Sequence, residues 1–593
     1  MRTYTLAILA VLLTAGCGVR KTNQTFSELR SEFIYSSLAF SPVSATSAGY
    51  HRHQGAKLDQ LLDDYSPASL ERQKKFYEGM KGRLFDAHQE GNLSPEDDAD
   101  YRIMRGQIDL ALLDLDEIQS YHHNPTIYVE LIGNALFNPM VLEYAPADER
   151  FRDIIARTEK IPAFLQQAKS NLTEAPDIWT QVAGEENQGN LDLLQKTIPA
   201  AVPAGLRADF DRATKPAIGA LEDFQNYLKN DLAKRNHASW RLGPDSYRRK
   251  FRATLASDRD ADAVLDAAES DLKMVRGQMF ELSLPLHQKM YPQHTNHTEL
   301  ATHDRENRII SEVLDRIAQR HATPEAYMPD AKRDLDEARA FVREKNLLTL
   351  PAGGNLQVID TPEFMRGIYA VGGFSPAPAL EPQLGAFYWI TPIPKSWARE
   401  RIESKLREYN FYHLKLLTIH EAMPGHYVQG EFAGKVEPKD RRVLRAVWGN
   451  GPYVEGWAVY TEQMMLDEGY LDNSPELRLT FQKEMLRVLA NAILDVRLQT
   501  RGMTDQEALD LMEKETFQET EEATAKLQRA KLSSCQLPTY YVGWQDWMRL
   551  REQYHKIKGP QYSLREFNDS GLKEGAVSLP ALAQLLTGKG LGE

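Results

Sequence analysis

The chain has 593 residues, of which 42% are hydrophobic and 26% are charged, so it can build several hydrophobic cores and is not disordered by composition. Acidic residues outnumber basic residues by 84 to 71, which gives a net charge of −13. Because a phosphate backbone attracts positive charge, this balance argues against nucleic acid as a partner, and we interpret the basic run at 248–252 as a solvated helix face.

The N-terminus has the pattern of an export signal. Arg2 supplies a positive charge, and a short apolar run over 6–13 leads into small residues and Cys17. The run is shorter than the about 20 apolar residues that span a bilayer, so it predicts a signal peptide over 1–17. The segment resembles the lipobox of bacterial lipoproteins, in which the cysteine is lipidated, although Thr14 stands where an aliphatic residue is usual. Secretion without lipidation is the alternative.

A lipid on Cys17 would make the membrane a partner of this protein and would place it in the bacterial cell envelope. The predicted location is the periplasmic face of the outer membrane. Cys535 is the only other cysteine, so no intramolecular disulfide is expected in the mature chain. No later segment approaches 18 consecutive apolar residues, which predicts a soluble body on a lipid tether.

Beyond the signal, the sequence predicts a mainly α fold with many helices and a few short strands near the active-site cleft. Residues 18–50 form a predicted tether and entry segment, 51–240 an N-terminal helical region, and 241–593 a catalytic region with a metal site. Apolar residues recur at helical spacing in several segments, namely 58–115, 148–170, 204–235, 259–285, 305–345, 396–420 and 473–531. The strand-like runs are 356–359 and 386–390.

The strongest chemical signal is the segment from His420 to His426, which begins His-Glu and contains Pro424-Gly425. In zinc peptidases two histidines four positions apart on a helix bind the metal, and the glutamate after the first is the general base. Here the spacing is six, which on an ideal helix leaves the imidazoles about 120° out of alignment and about 9 Å apart along the axis. Proline and glycine can break the helix and bring His426 back beside His420. An ordinary helix end with a Pro-Gly turn is the alternative.

A third ligand is needed because a catalytic zinc site has three protein ligands and one open position. Glu455 is the best candidate, in a predicted helix whose face it shares with Glu462. Two carboxylates on an otherwise apolar stripe are costly to bury unless they are paired or bind a metal. We therefore expect Glu455 to bind a single zinc ion and Glu462 to support the site.

These two motifs, His-Glu-x-x-Pro-Gly-His-x-x-Gln and Tyr-Val-Glu-Gly-Trp-Ala-x-Tyr-x-Glu, resemble those of the bacterial family named domain of unknown function 885. The second is also similar to the segment of gluzincin aminopeptidases that supplies their third zinc ligand, which carries over to Glu455 alone. The resemblance implies a zinc-peptidase-like helical fold. It also extends to Gln536 and Tyr540, and it implies that Tyr540 donates a hydrogen bond to the oxyanion of the transition state. Tyr541 is the second choice, and a core tyrosine is the alternative.

One departure from the family pattern concerns specificity. Gln499 stands where many members have a histidine, so substrate preference can differ here. Arg497 or Arg501 could bind a substrate carboxylate, although an ion-paired surface arginine is the alternative. The strand at 385–390 is either an edge along which a peptide substrate adds or a buried hairpin strand.

The function expected from these residues is zinc-dependent cleavage of peptide bonds, with Glu421 as the general base and a peptide as the substrate. Two alternatives stay open. The first is a zinc hydrolase of a non-peptide amide or ester, which needs the same metal site and a different pocket. The second is an inactive binding lipoprotein of the envelope, in which the base at Glu421 would have no purpose.

Overall fold

The structure is a computed structural model that describes residues 24–91, 93–235, 238–294, 296–352, 354–362, 366 and 371–592. The predicted signal peptide and Cys17 lie outside these residues. Helices dominate the described residues and strands are few and short, which confirms the predicted mainly α fold class. No helix among the described residues combines the length and apolar character needed to cross a bilayer.

The first part of the chain is helical from residue 26 onward. Its helices are α1 Phe26–Phe40, α2 Pro42–Ser47, α3 Pro67–Gln89, α4 Pro95–Leu113, α5 Ser120–His123, α6 Thr126–Val141, α7 Ala147–Thr158, α8 Ile161–Asn171, α9 Asp177–Asp192, α10 Ile198–Ala201 and α11 Arg207–Asn230. A two-stranded antiparallel pair, β1 Arg52–His53 and β2 Ala56–Lys57, lies between α2 and α3.

The rest of the chain carries the longer helices and the larger sheet. Its helices are α12 Pro244–Leu255, α13 Ala261–Met290, α14 Thr302–Ala318, α15 Tyr327–Lys345, α16 Arg399–Glu408, α17 Phe411–Glu421, α18 His426–Ala433, α19 Lys439–Val447, α20 Gly451–Asp467, α21 Pro475–Thr500, α22 Asp505–Asp510, α23 Thr520–Leu532, α24 Pro538–Lys558, α25 Leu564–Lys573 and α26 Leu579–Thr587. Its strands are β3 Leu356–Asp360, β4 Gly372–Ser375 and β5 Ala386–Ile390.

Strand β5 is the middle strand of a three-stranded sheet, parallel to β3 on one side and antiparallel to β4 on the other. All five of its residues are buried. The prediction that 385–390 offers a free edge to a substrate is therefore wrong, because both edges of β5 are already paired. The alternative of a buried strand with a hairpin neighbour describes it correctly.

The buried apolar residues form two large cores that meet at β5. Helices α6 to α11 surround one core, and the main core joins α1, α3 and α4 to the helices from α12 onward. Phe387 and Trp389 point into the first core, and Tyr388 points into the second. This arrangement follows from the two-residue period of a strand, which sends successive side chains to opposite faces.

The N-terminal organisation differs from the predicted division. The predicted entry segment already contains α1 and α2, and Leu29 and Phe33 of α1 are buried in the main core. Helices α3 and α4 of the predicted N-terminal region pack in the same core as the helices that follow residue 240. Helices α1, α3 and α4 are thus part of the framework of the metal-motif helices.

Candidate metal centre

Two helices that carry the motif begin at asparagine caps. The side chain of Asn410 accepts hydrogen bonds from the backbone of α17, and the side chain of Asn450 accepts one from Tyr453 at the start of α20. Asparagine at this position satisfies helix N–H groups that have no partner within the helix. The caps fix the first residue of α17 and of α20. They therefore also fix which residues lie in the last turn of α17 and in the middle turns of α20.

A break after α17 brings the two motif histidines together. Helix α17 ends at Glu421 and α18 begins at His426, and the Gly425 N–H donates back to the Ile419 carbonyl at 2.9 Å. The indole N–H of Trp457 donates to the Pro424 carbonyl at 3.1 Å, which holds the break against α20. As a result the two imidazole rings lie 4.8 Å apart, centroid to centroid, with perpendicular planes.

Only glycine fits at position 425. A Cβ atom there would lie 1.8 Å from the His420 carbonyl oxygen and 2.4 Å from the Ile419 carbonyl oxygen. Both of these atoms are backbone and cannot move aside without unwinding α17. The close fold-back of the chain therefore depends on the absence of a side chain at Gly425.

Helix α20 supplies the third side chain of the cluster. Glu455 Oε2 lies 3.7 Å from His420 Nε2 and 3.5 Å from His426 Nε2, and ligand atoms of the three residues all lie within 4.8 Å of one another. Ligands about 2.1 Å from a tetrahedral zinc ion are about 3.4 Å apart, so this spacing suits three ligands of one ion. Burial raises the pKa of Glu455, but the two imidazoles outweigh it and hold the pKa well below its usual range.

Buried polar atoms without a hydrogen-bond partner also indicate that the cluster fits a metal ion. Glu455 Oε2 and His426 Nδ1 are buried polar atoms with no hydrogen-bond partner among the described residues. Unpartnered buried polar atoms are costly, and a cation among the three ligands would satisfy the carboxylate oxygen. Two imidazoles and one carboxylate are also a donor set of catalytic zinc sites, and such sites keep one position open.

Glu462 supports the site from one side. Its Oε1 lies 2.8 Å from His420 Nδ1, and its side chain is 2% exposed. A carboxylate on the second nitrogen of a ligand histidine fixes the tautomer and the ring orientation, which leaves Nε2 for the metal. Glu462 lies two turns after Glu455 on the same face of α20, the face that the sequence predicts the two residues to share.

Glu421 and Tyr540 line the same cavity of about 340 Å³ as the three candidate ligands. The Tyr540 ring stacks 6.3 Å from the His420 ring, and its hydroxyl accepts hydrogen bonds from Arg529 Nη2 and Gln536 Nε2, both at 3.3 Å. No described residue accepts a hydrogen bond from the Tyr540 hydroxyl. Its hydrogen is thus available to a group bound in the cavity.

Four residues considered from the sequence lie elsewhere. The Tyr541 hydroxyl donates to Asp271 at 2.7 Å, and the buried Gln499 side chain bonds the backbone of Leu242 and Ser533. Arg497 and Arg501 are ion-paired with acidic residues of α13, Glu269 and Asp262, and neither lines the cavity of the candidate ligands. Neighbouring positions on a helix point to different faces, which separates Tyr541 from Tyr540.

Sequence reasoning missed Arg529, which lines the cavity from α23. Among the described residues no carboxylate lies within ion-pair distance of its guanidinium, although the group is mostly enclosed. Lys526, one turn earlier on the same helix, lines the same cavity and is buried. Nothing local marks these two residues, because their role depends on how α23 packs beside α24.

A second cavity of about 1090 Å³ adjoins the other side of the cluster. His426, Glu455 and Phe374 line it, together with residues of α6 such as Glu130 and Asn134. Phe374 belongs to β4 and stacks near His426, with ring centroids 6.4 Å apart. Two of the three candidate ligands, His426 and Glu455, therefore lie between two cavities.

Comparison with known proteins places the chain among bacterial proteins without an assigned role. The model of a bacterial protein family of unknown function, DUF885, matches residues 42–586. A solved structure from Shewanella oneidensis, described as a lipoprotein of unknown function, has a TM-score of 0.77 at 28% identity, and the match covers 95% of this chain and 99% of that chain. Another from Colwellia psychrerythraea, also described as a lipoprotein, has a TM-score of 0.74 at 17% identity with the same coverage, which shows the fold alone. No curated protein matches significantly.

Proposed function

This chain belongs to the bacterial DUF885 family, and we propose that it is a zinc-dependent hydrolase that cleaves peptide bonds. The observation that carries the proposal is the convergence of His420, His426 and Glu455 at one point, on the wall of a cavity that Glu421 and Tyr540 also line. A general base, an oxyanion donor and a three-ligand site with one open position are what metal-assisted hydrolysis requires.

The reaction divides among this chain's own residues as follows. When bound, zinc would polarise the scissile carbonyl and lower the pKa of the attacking water. Glu421 accepts the proton of that water and passes it to the leaving amine. Tyr540 donates its hydroxyl hydrogen to the oxyanion as the tetrahedral centre forms, and Arg529 and Gln536 hold the phenol in place.

A peptide substrate suits the surroundings of the cluster. Strand β4 is an edge of its sheet among the described residues, and Gly372, Gly373 and Phe374 line the cavity. An extended peptide could add to that edge through main-chain hydrogen bonds and pass between the two cavities. Arg529 would then face the part of the substrate beyond Tyr540, and its charge favours a substrate with a carboxylate there.

We also propose that Cys17 carries a lipid that anchors the protein in the cell envelope, at the periplasmic face of the outer membrane. The support is the lipobox-like segment before Cys17 and the Shewanella oneidensis relative, which is described as a lipoprotein. A labelled fatty acid supplied to cells should be incorporated into the wild-type protein and not into Cys17→Ala. A wild-type protein without label would contradict the anchor.

The test of the hydrolase uses the purified mature chain, its zinc content, and a mixed peptide library analysed by mass spectrometry. Glu421→Gln should keep the zinc content of the wild type and lose about 10²- to 10⁴-fold in peptide cleavage, the usual contribution of a general base. The same change at the exposed Glu400 of α16 is the control and should alter neither quantity.

The outcomes separate the alternatives. Full activity of Glu421→Gln would overturn the mechanism. Zinc binding with hydrolysis of simple amides or esters, and none of the peptide library, would replace the peptide with another substrate class. Zinc binding without any turnover would favour a binding protein of the envelope.

A further inference from the structure

A second group of metal-binding side chains lies where α13 connects to α14. His287 is in the last turn of α13, His294 and His297 are in the connecting loop, and Glu312 is on α14. One ligand atom from each residue lies within 4.8 Å of the others. No sequence motif marks these residues, and the proposed hydrolase does not use them.

The three imidazoles converge on one carboxylate oxygen of Glu312. Glu312 Oε2 lies 2.7 Å from His287 Nε2, 3.1 Å from His297 Nε2 and 3.3 Å from His294 Nδ1. The other oxygen of Glu312 is 2.7 Å from Arg308 Nε. A carboxylate oxygen has two lone-pair sites, so three imidazoles exceed what hydrogen bonding to that atom explains.

Burial makes this convergence more than a chance surface cluster. The His287 side chain is fully buried, and the His297 and Glu312 side chains are 10% and 14% exposed. His297 also has a positive φ of 50°, a backbone conformation that non-glycine residues seldom adopt. The loop is thus bent in a way that turns His297 inward, towards Glu312. The half-exposed His294 leaves a route for an ion to enter.

A metal ion bound by these four side chains would constrain the loop between α13 and α14. The loop between α13 and α14 leaves the end of a 30-residue helix and returns along its neighbour. Exported proteins often fasten such loops with disulfides, but the chain has two cysteines, and Cys535 is buried away from this loop near Tyr247. A metal ion can provide the same constraint through side chains that need no oxidation.

We propose that His287, His294, His297 and Glu312 bind a second zinc ion, which is structural and fastens the α13–α14 loop. Three imidazoles and a carboxylate are a donor set that zinc accepts, and the distances of Glu312 Oε2 from His297 and His294 are close to the about 3.4 Å between ligands of a tetrahedral ion. His287 lies at hydrogen-bond distance from the same oxygen and would move outward by less than about 1 Å to bind the ion. All four positions would be filled by protein, which distinguishes this closed site from the open site at His420.

The test isolates this site from the catalytic one. The full mature chain carrying His426→Ala is stripped with a chelator and titrated with Zn²⁺ under calorimetry, so that only the loop site retains all its ligands. One equivalent should bind, and it should be lost when His294→Ala is added. His303→Ala is the matched control, because His303 lies on α14 outside the cluster, and it should leave the equivalent in place.

A spectroscopic measurement covers the case of a variant that folds poorly. Co²⁺ added to the His426→Ala chain, with the loop residues intact, should give the intense visible bands of tetrahedral cobalt, and Zn²⁺ should raise the unfolding temperature. Absence of a bound equivalent, or a bound equivalent that survives the loss of His294, would overturn the proposal. Peptide cleavage enters neither measurement, so failure of the proposed hydrolase would not decide this question.

Discussion

The hydroxyl of the partly buried Tyr540 has two hydrogen-bond donors and no acceptor among the described residues. Arg529 and Gln536 both donate to its oxygen, so its own hydrogen is available to a group bound in the cavity. Two donors on the oxygen also make the phenol a stronger donor, because hydrogen bonds in a chain polarise one another. The residue is thus suited to an anion that develops during the reaction.

Tyr540→Phe should lower kcat for peptide cleavage by about 10²- to 10³-fold, the usual cost of one oxyanion donor, with little change in KM. Zinc content should not change, since the phenol is not a ligand. Tyr541→Phe is the matched control, because its hydroxyl bonds Asp271 outside the cavity. A Tyr540→Phe variant as active as the Tyr541→Phe variant would remove Tyr540 from the mechanism.

Glu186 is a buried carboxylic acid in the core around α9, and neither of its oxygens has a hydrogen-bond partner among the described residues. Burial, together with the nearby charges of Glu130 and Glu185, raises its pKa to about 9. At pH values between the pKa of Glu186 in the unfolded chain and about 9, this carboxyl is protonated in the folded state and ionised in the unfolded state. Stability is lost as the pH rises through this window.

Glu186→Gln should remove this loss. The free energy of unfolding of the wild type should fall with pH by up to about 1.4 kcal/mol per unit between about pH 5 and pH 9, and the variant should show a flatter profile. Thermal unfolding followed across this pH range measures the difference. The exposed neighbour Glu185 is the control, and parallel profiles for wild type and Glu186→Gln would contradict the expectation.

At the scale of elements, the contact between α20 and α24 sets the position of the candidate ligand Glu455 relative to the proposed oxyanion donor Tyr540. Helix α20 carries Glu455, α24 carries Tyr540, and the two helices touch at Gly456 and Gly543. A Cβ on Gly543 would lie 2.0 Å from the Pro452 carbonyl oxygen and 2.7 Å from Gly456 Cα. The atoms nearest to the added Cβ all belong to the backbone of α20, so no side chain can move to make room for it.

Gly543→Ala should push α20 and α24 apart and lower the free energy of unfolding by about 1–3 kcal/mol, as overpacking does. Peptide cleavage should fall by at least about 10-fold, since small displacements of reacting groups are costly. Gly277→Ala in α13 is the control, because nothing lies within 4 Å of a Cβ there, and it should stabilise the helix by up to about 1 kcal/mol. Equal behaviour of the two variants would show that the helix contact is not rigid.

Across the whole molecule, a buried charge cluster joins the N-terminal helices to the motif region. Asp100 of α4 is fully buried and bonds Arg30 of α1 at 2.9 Å and Arg441 and Arg445 of α19 at 2.8 Å. Helix α19 lies between α18 and α20, which carry His426 and Glu455. The segment predicted as a tether and entry segment is thereby fastened to the helices of the candidate metal centre.

Asp100→Asn keeps the shape of the side chain and removes the charge that compensates the arginines. The free energy of unfolding should fall by about 3–5 kcal/mol, the usual cost of breaking a buried ion pair. Denaturant unfolding measures it, and Asp98→Asn on the solvent side of α4 is the control, with a change within about 1 kcal/mol. A small effect at Asp100 would mean that the N-terminal helices contribute little to the stability of the whole.

The sequence was sufficient for features encoded over short stretches of chain. Helical spacing located α11 and α13, and the apolar runs located β3 and β5. Helix α6 was not foreseen, although Glu130, Asn134 and Asn138 recur at four-residue spacing and form a polar stripe that helical periodicity could have revealed. The histidines and glutamates of the motif could be chosen because their residue types and spacing have a chemical meaning by themselves.

Only the tertiary structure decided which distant groups meet. Arg529 beside Tyr540, the two cores on either side of β5, and the cluster of His287 and Glu312 each join residues that have no local signal. The physical reason is that backbone periodicity and side-chain chemistry are properties of neighbouring residues, whereas proximity across the chain results from how whole helices pack. The sequence by itself therefore determined the helical class and the candidate ligands of the motif, and packing determined what surrounds them and which other side chains meet.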